Sequence, residues 1–372
     1  MSFKEVFCQD KAIDILQRAF ASDRWAHAYI FAGPEGVGKF KTANAWAKLL
    51  LCKKPVEKEG LTDSCGSCES CRLFEADSNP DFNHVYKELK EFTEEGKGKA
   101  PPVDLPIDVI REFVIAKVSR RPTLSQRKVF VISEAEKLNV NSQNCLLKVL
   151  EEPPEYCCIV LLCTRLEKLL PTTRSRCQII RFGPIDEERI IEKLKDKGLP
   201  QKQAQYFARL AEGSLGTACQ WAELERADAN LYKAKTWLVD SLARYEFSDA
   251  LNLAEALLVE TKRMTTIWVD IDKATSKTDI NRKTLRTVVR IIVSVLRDVM
   301  KCNITPAQES VNFDQKEQIE KLAARFDAEQ AAEKIAECYR ALRWIDSSVN
   351  EKLIFEQFLL SFADSDTISA SR

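Results

Sequence analysis

Residues 29–40 read Tyr-Ile-Phe-Ala-Gly-Pro-Glu-Gly-Val-Gly-Lys-Phe, an apolar run that leads into a glycine-rich turn. The turn fits the P-loop pattern G-x-x-x-x-G-K-S/T up to its last position. In such a loop the glycines let backbone N–H groups surround phosphates, and the lysine reaches the terminal phosphates. The stretch therefore predicts a strand, a phosphate loop and a helix, with Gly33, Gly36, Gly38 and Lys39 as candidate nucleotide-binding residues. A chance glycine-rich turn is the alternative.

Two groups that would hold Mg²⁺ in a P-loop site are altered. Phe40 stands where the loop hydroxyl is expected, and Thr42 would point about 200° away around the helix. Ser133-Glu134 stands where an Asp-Glu pair is expected after the next strand. Since phosphoryl transfer depends on the metal, both changes together predict a site that does not hydrolyse nucleotide. Compensation by Glu134, Glu136 or a water stays open.

The pattern of apolar residues divides the chain into three parts. Buried strands are predicted at 129–132 and 158–163, with a helix between them that Pro153 and Pro154 end. This order predicts a parallel α/β core over residues 1–183. Only helical patterns follow, which we divide into a small lid at 184–223 and an all-α domain at 224–372. Two apolar helical stripes are predicted to be core or subunit-packing surface: 285, 288, 289, 292, 296 and 299, and then 335, 338, 339 and 342.

Composition narrows the class of protein. The 372 residues carry 56 Lys plus Arg and 56 Asp plus Glu, so the formal net charge is zero and bulk charge does not indicate a nucleic-acid binder. The charged N-terminus does not resemble a secretory signal, and no apolar run approaches the roughly 18 residues of a membrane span. We expect a reduced cytoplasmic protein with no membrane contact, in which clustered cysteines indicate metal before disulfide.

Four of the 13 cysteines cluster at Cys52, Cys65, Cys68 and Cys71. Four thiols at this spacing suit tetrahedral Zn²⁺, so we expect a closed structural zinc site, with an iron–sulfur cluster as the minor alternative. The other nine are interpreted as ordinary small core residues: Cys8, Cys145, Cys157, Cys158, Cys163, Cys177, Cys219, Cys302 and Cys338.

Further motifs carry a resemblance to a known family. They are His27-Ala28-Tyr29 before the phosphate loop, the cysteine insertion followed by Asn79-Pro80-Asp81, the run Asn-Cys-Leu-Leu-Lys-Val-Leu-Glu-Glu-Pro-Pro at 144–154, and Leu-Leu-Pro-Thr-Thr-Arg-Ser-Arg-Cys at 169–177. Together they resemble the clamp-loader branch of the AAA+ ATPases, the subunits that serve bacterial DNA polymerase III. The resemblance is strong to about residue 220 and weaker beyond it.

The resemblance implies an AAA+ core, a helical lid and a helical collar through which five subunits form an open ring. Implied partners are gamma/tau-like motor subunits, a delta-like wrench subunit, the sliding clamp and, through the complex, primer-template DNA. It also implies that Thr164 senses nucleotide and that Arg176 reaches into a neighbouring subunit's ATP site. Without that context, Arg176 would be interpreted as a surface ion-pair residue.

Three departures from the family pattern favour one type of subunit. Phe40, Ser133 and Gly216 each replace a nucleotide-handling group, since Gly216 stands where motor subunits carry a lid arginine, whereas Arg176 is kept. The resemblance therefore implies a stationary subunit that supplies an arginine, with ATP and Mg²⁺ doubtful at its own site. The alternatives are an active motor subunit and a zinc-bearing nucleic-acid module, which the zero net charge disfavours.

Overall fold

The computed structural model describes residues 2–58, 60–95, 102–273, 275–304, 309–347 and 349–362. The chain forms two compact units. The first comprises Met1–Ile185 together with Ser214–Gly216, and the second comprises Asp186–Gly213 and Thr217–Arg372. The three-part division made from the sequence stays a prediction.

The first unit is an α/β fold built on a parallel sheet. Its strands are β1 (Ala28–Ala32), β2 (Val56–Lys58), β3 (Leu61–Asp63), β4 (Phe82–Val85), β5 (Lys128–Ile132), β6 (Cys157–Cys163) and β7 (Gln178–Arg181). Its helices are α1 (Asp10–Ala21), α2 (Lys39–Leu51), α3 (Glu69–Glu75), α4 (Ile107–Ile110), α5 (Ala116–Val118), α6 (Val140–Glu151) and α7 (Pro171–Arg174), with a π-helical segment, Arg111–Ile115, between α4 and α5. The sheet order is β4-β5-β6-β1-β7 with parallel neighbours, while β2 and β3 form a separate antiparallel hairpin.

The central strands β1, β5 and β6 are buried along their whole length, and their residues other than Lys128 are apolar, because both faces of the sheet are covered. Along β1, Tyr29 and Phe31 pack into one core, and Ala28 and Ile30 pack into the core on the opposite face. Such burial on both faces is typical of parallel sheets whose crossover helices lie on either side. The predicted parallel α/β core is confirmed. The loop after β1 lies at the carboxyl edge of the sheet, where ligands bind in folds of this class.

The second unit consists of helices in the part of the chain that the structure describes. They are α8 (Glu187–Asp196), α9 (Gln201–Leu210), α10 (Leu215–Arg226), α11 (Leu231–Ala243), α12 (Ala250–Ile271), α13 (Lys277–Ile304), α14 (Lys316–Arg325), α15 (Ala328–Asp346) and α16 (Glu351–Phe362), of which α10 begins within Ser214–Gly216. The predicted helical C-terminal region is therefore confirmed. None of the described helices is long and apolar enough to cross a membrane.

The two predicted helical stripes have different outcomes. Every residue of the stripe in α13 is buried, as predicted: Leu285, Val288, Val289, Ile292, Leu296 and Val299. In α15 the prediction holds in part, because Cys338 is buried, whereas the side chain of Tyr339 is 43% exposed and its hydroxyl accepts a hydrogen bond from Arg297 at 3.1 Å. The buried residues of α15 are Ala331, Cys338, Ala341 and Ile345. Small alanines let α15 lie close to its neighbours, and the tyrosine hydroxyl stays at the surface where it finds a partner.

A buried carboxylate joins the cysteine-rich segment to the sheet. Asp81, in the Asn-Pro-Asp motif, is fully buried and accepts backbone hydrogen bonds from Thr123 (2.6 Å), Leu124 (2.8 Å) and Ser125 (2.7 Å). Asn79 donates to the backbone and the hydroxyl of Ser70 in α3, both at 3.0 Å. The motif therefore fixes the turn before β5 and the helix that carries one of the clustered cysteines.

We expect the substitution Asp81→Asn to destabilise the first unit by about 2–4 kcal/mol, because an amide offers only one oxygen to three N–H donors and buried hydrogen bonds to charged groups are strong. Hydrogen exchange of peptides from β5 in full-length protein measures this loss. The exposed residue Asp104 supplies the matched control, Asp104→Asn. Equal exchange rates in the two variants would contradict the role assigned to Asp81.

Candidate functional site

In the phosphate loop between β1 and α2, the lysine side chain is hydrogen-bonded to the backbone of the loop itself. Gly36 and Gly38 adopt positive φ angles of 72° and 106°, which let the loop curl back before α2 begins. The ammonium group of Lys39 donates to the carbonyl oxygens of Gly33 at 2.7 Å and Pro34 at 2.5 Å. Burial lowers the pKa of Lys39, and its side chain is turned into the loop. Two of the three lysine donors are thus used by the loop itself.

The segment Ser214–Gly216 lies against this loop and belongs to the same unit. The N–H of Gly216 donates to the carbonyl oxygen of Gly36 at 2.7 Å. A Cβ atom added to Gly216 would lie 2.8 Å from the Cα atom of Gly36, closer than such atoms approach in proteins. This contact therefore requires glycine at position 216, where an arginine is expected in motor subunits.

The two altered metal-binding positions meet at a histidine. The ring of Phe40 lies 4.8 Å from that of His84, centroid to centroid, and His84 Nε2 lies 2.9 Å from Ser133 Oγ. Burial lowers the pKa of His84 to about 4, so the imidazole is neutral at pH 7. An aromatic ring and a neutral imidazole are poor partners for Mg²⁺, and Ser133 offers only a hydroxyl, engaged with His84, where a carboxylate is expected.

Sequence reasoning missed His84 because a single histidine in a strand forms no motif. Only the pairing of β4 with β5 reveals its place, by aligning His84 with Val131, two residues before Ser133. The adjacent residue Val85 accepts the N–H of Ser133 at 2.9 Å, which fixes the serine at the end of β5.

The groups considered as compensation have other partners. Glu134, with a positive φ of 51°, forms an ion pair with Lys137. Glu136 accepts hydrogen bonds from the hydroxyl of Thr164 and, at 3.2 Å, from its N–H. Thr42 is fully buried, and its hydroxyl donates to the carbonyl of Gly38 at 3.0 Å. The structure thus brings Thr164 together with Glu136 and turns Thr42 to the backbone of its own helix.

Arg176 lies between α7 and β7 as a partly exposed cation. Its Nη2 atom lies 2.7 Å from a carboxylate oxygen of Glu151, and its Nη1 atom donates to the carbonyl of Thr172 at 2.9 Å. The arginine side chain is 33% exposed. The guanidinium is therefore oriented by two acceptors of the same unit and remains accessible to solvent.

The four predicted metal ligands come together at the end of α2. The Sγ atoms of Cys52, Cys65, Cys68 and Cys71 all lie within 4.8 Å of one another, with Cys52–Cys65 at 3.6 Å and Cys65–Cys71 at 3.9 Å. A tetrahedral ion about 2.3 Å from each sulfur would set these separations near 3.8 Å. The cluster could hold a metal ion.

Backbone donors prepare these thiols for a cation. Cys65 N–H points to Cys52 Sγ and Cys68 N–H to Cys65 Sγ, both at 3.3 Å. Burial acts against the thiolate of Cys65, but N–H donors from Cys68 and Ser67 outweigh it and lower the pKa of Cys65 to about 6. Anionic sulfur is the form that binds metal. The pKa of Cys68 is also lowered, whereas burial raises the pKa of Cys52 and Cys71, so a bound cation would be needed to keep those two sulfurs anionic.

Comparison of the sequence with known proteins identifies the family of this chain. Residues 8–186 match the family model described as DNA polymerase III, delta subunit, and residues 273–364 match the one described as DNA polymerase III, delta subunit, C terminal. The chain is 30% identical over 244 residues to DNA polymerase III subunit delta' of Escherichia coli K12, across 65% of this chain and 68% of that protein. The chain belongs to the clamp-loader family of AAA+ proteins.

Relatives of two kinds match the chain, which confirms the resemblance carried by the motifs. It is 29% identical over 229 residues to subunit delta' of Bacillus subtilis, across 61% of this chain, and 30% identical over 257 residues to subunit tau of the same organism, across 69% of this chain. These alignments span 63% and 40% of the two relatives, less than two thirds of either. Identity alone does not separate the two types of clamp-loader subunit.

The buried histidine predicts a pH dependence of stability. Because the pKa of His84 is lowered to about 4 in the folded chain, the unfolded chain, with a histidine pKa of about 6.5, binds the proton more readily. The free energy of unfolding should therefore decrease as the pH is lowered from 6.5 to 4, by at most about 3 kcal/mol. Hydrogen exchange of peptides from β4 and β5 at several pH values measures the fall.

The control uses the other histidine of the chain, His27. His84→Gln should flatten the dependence of local stability on pH in this window, and His27→Gln should leave it as in the unmodified protein. An unchanged pH slope in His84→Gln would contradict the assignment of a neutral imidazole beside Phe40 and Ser133.

Proposed function

We propose that this chain is a delta-prime-type subunit of the bacterial DNA polymerase III clamp loader that does not hydrolyse ATP and donates Arg176 to a neighbouring motor subunit. The observation that carries the proposal is the phosphate loop engaged by its own groups. Lys39 is bound to loop carbonyls and Gly216 is bound to Gly36, while Arg176 remains at the surface.

The chemistry of phosphoryl transfer supports the absence of hydrolysis. The reaction depends on a metal ion that neutralises charge on the phosphates and on a lysine that contacts them. Here the residues at the two metal positions, Phe40 and Ser133, contact a neutral His84. Lys39 would have to leave both carbonyl acceptors before it could reach a phosphate. The same contacts of Lys39 also disfavour passive binding of nucleotide, without hydrolysis, by the loop.

The exposed arginine supports a role in a neighbour's site. An arginine supplied from another protein can stabilise the transition state of nucleotide hydrolysis by about 10³- to 10⁵-fold in rate. Arg176 belongs to the Ser-Arg-Cys motif and keeps an accessible guanidinium next to the sheet edge strand β7. In this proposal the neighbour supplies the nucleotide and the metal, and this chain supplies the positive charge.

We propose that the cysteine cluster holds one structural zinc ion. Four sulfur ligands form a closed tetrahedral site, which leaves no position for a substrate water and hence no hydrolytic role. The short hairpin of β2 and β3 and the roughly two turns of α3 form a small segment whose folding a metal of this kind would stabilise.

The proposed partners follow from this role. They are gamma/tau-like motor subunits, a delta-like subunit, the sliding clamp and, through the assembled complex, primer-template DNA in the cytoplasm. The equal numbers of acidic and basic residues support a chain whose main surfaces meet other proteins. A zinc-bearing module that binds DNA by itself has less support for the same reason.

Protein purified without chelator should contain about one zinc per chain, as expected for a single four-cysteine site. The variant Cys68→Ser should lose most of this metal because three thiolates leave the coordination incomplete, whereas Cys145→Ser, outside the cluster, should retain it. Elemental analysis by mass spectrometry measures the content. Protein without metal, or with iron and sulfide in place of zinc, would refute the zinc assignment.

In a clamp loader reconstituted with its motor subunits, Arg176→Ala in this chain should lower ATP turnover at the adjacent site by at least about 10³-fold, the lower end of the range for donated arginines. The total rate of ATP hydrolysis by the complex should then fall by the fraction that this site contributes. Steady-state phosphate release with clamp and primed DNA measures the change, and native mass spectrometry checks that the complex still assembles.

The exposed residue Arg181 gives the control variant, Arg181→Ala, which should leave turnover unchanged. Unchanged phosphate release in Arg176→Ala would overturn the donated-arginine role. The second candidate function, an active motor subunit, is favoured by the similarity to subunit tau. Phosphate release by the purified chain alone, abolished by Lys39→Ala, would establish that alternative and overturn the proposal.

A further inference from the structure

The ion pair between Arg176 and Glu151 indicates a second residue that acts together with Arg176. Glu151 is the last residue of α6, and its carboxylate lies 2.7 Å from Arg176 Nη2. The helix ends there because Pro153 and Pro154 follow. We propose that Glu151 is a positioning residue that holds the Arg176 guanidinium ready for the neighbouring nucleotide site. This inference rests on the proposed role of Arg176.

The place of Glu151 in its helix explains why it binds a cation. The last turn of a helix carries unpaired carbonyl groups and a partial negative charge, which disfavours a carboxylate and favours a positive side chain nearby. A guanidinium beside Glu151 therefore meets both the carboxylate and the negative end of α6. The position that is electrostatically poor for Glu151 alone becomes favourable when Arg176 is next to it.

The geometry leaves donors on the guanidinium for a second acceptor. Arginine has five N–H donors in a planar fork. Nη1 donates to the carbonyl of Thr172 at 2.9 Å, and Nη2 lies against Glu151. The donors not engaged by these acceptors can contact phosphate oxygens while the two existing contacts keep the plane of the fork fixed. A long side chain fixed before assembly loses less rotamer freedom when it engages its target.

The test uses the complete loader reconstituted from this chain and its motor subunits. Glu151→Ala should lower kcat for ATP hydrolysis at the adjacent site by about two- to fivefold, the range of one partly exposed ion pair. KM for ATP should stay unchanged, because the contact acts on the transition state. Glu151→Gln should retain part of the rate, since its amide oxygen still accepts a hydrogen bond. The adjacent exposed glutamate gives the matched control, Glu152→Ala, with the unmodified rate.

A double variant separates this inference from the function on which it rests. In the Arg176→Ala background, Glu151→Ala should cause no further loss, because its effect passes through the arginine. If Arg176→Ala lowers the rate and Glu151→Ala does not, or if Glu151→Ala raises it, the positioning role is overturned and the donated arginine stands. If Arg176→Ala itself leaves the rate unchanged, the proposed function fails. Equal additional losses in both backgrounds would show that Glu151 acts on the fold instead, and would overturn the inference.

Discussion

The buried carboxylate of Asp81 holds the first unit together at the point where three of its parts meet. It orders the backbone of Thr123, Leu124 and Ser125 just before β5. The hydroxyl of Ser125 then donates to the carbonyl of Leu51, the last residue of the phosphate-loop helix, and lies 3.1 Å from that of Ser70 in α3. One charged group with three backbone donors thus connects the sheet, the phosphate-loop helix and the cysteine cluster.

That connection explains how a phosphate loop can persist after its chemistry has changed. The helix α2 has Lys39 at its first residue and is followed directly by Cys52. A metal bound by the cluster would hold the end of the same helix whose beginning forms the loop. With a metal bound there, the cluster and Asp81 would both stabilise this region, which would then not depend on a bound nucleotide. Lys39 donates to two carbonyl oxygens of the loop and so uses there the N–H donors that would otherwise contact a phosphate.

The sequence predicts the three central strands of the α/β core and two of its helices, but not the edge strands and only part of the site. The strands at 128–132 and 157–163 are long apolar runs, and a parallel sheet buried on both faces requires that pattern. Cysteine spacing indicates the cluster because its ligands are local.

His84 could not be predicted, since it meets Ser133 only through strand pairing. The sequence shows that Gly216 replaces the arginine of motor subunits. It does not show the hydrogen bond to Gly36, because that bond joins residues 180 positions apart. The exposed Tyr339 shows the same limit, because periodicity does not report where a hydroxyl finds a partner.

The three departures in the nucleotide site are separate changes, and two of them meet at His84. Phe40 is larger than the hydroxyl residue it replaces, and its ring occupies space beside His84. Ser133 is shorter than an aspartate, and this leaves His84 Nε2 at hydrogen-bonding distance. Gly216 lacks a side chain, and this allows the backbone contact with Gly36. Restoring one group would leave the other two in place, so a single reversion would not rebuild a metal site. A loop with this set of contacts keeps the shape of a nucleotide site. In the proposed function it does not hydrolyse nucleotide, and Arg176, on a different part of the same unit, would serve a neighbour.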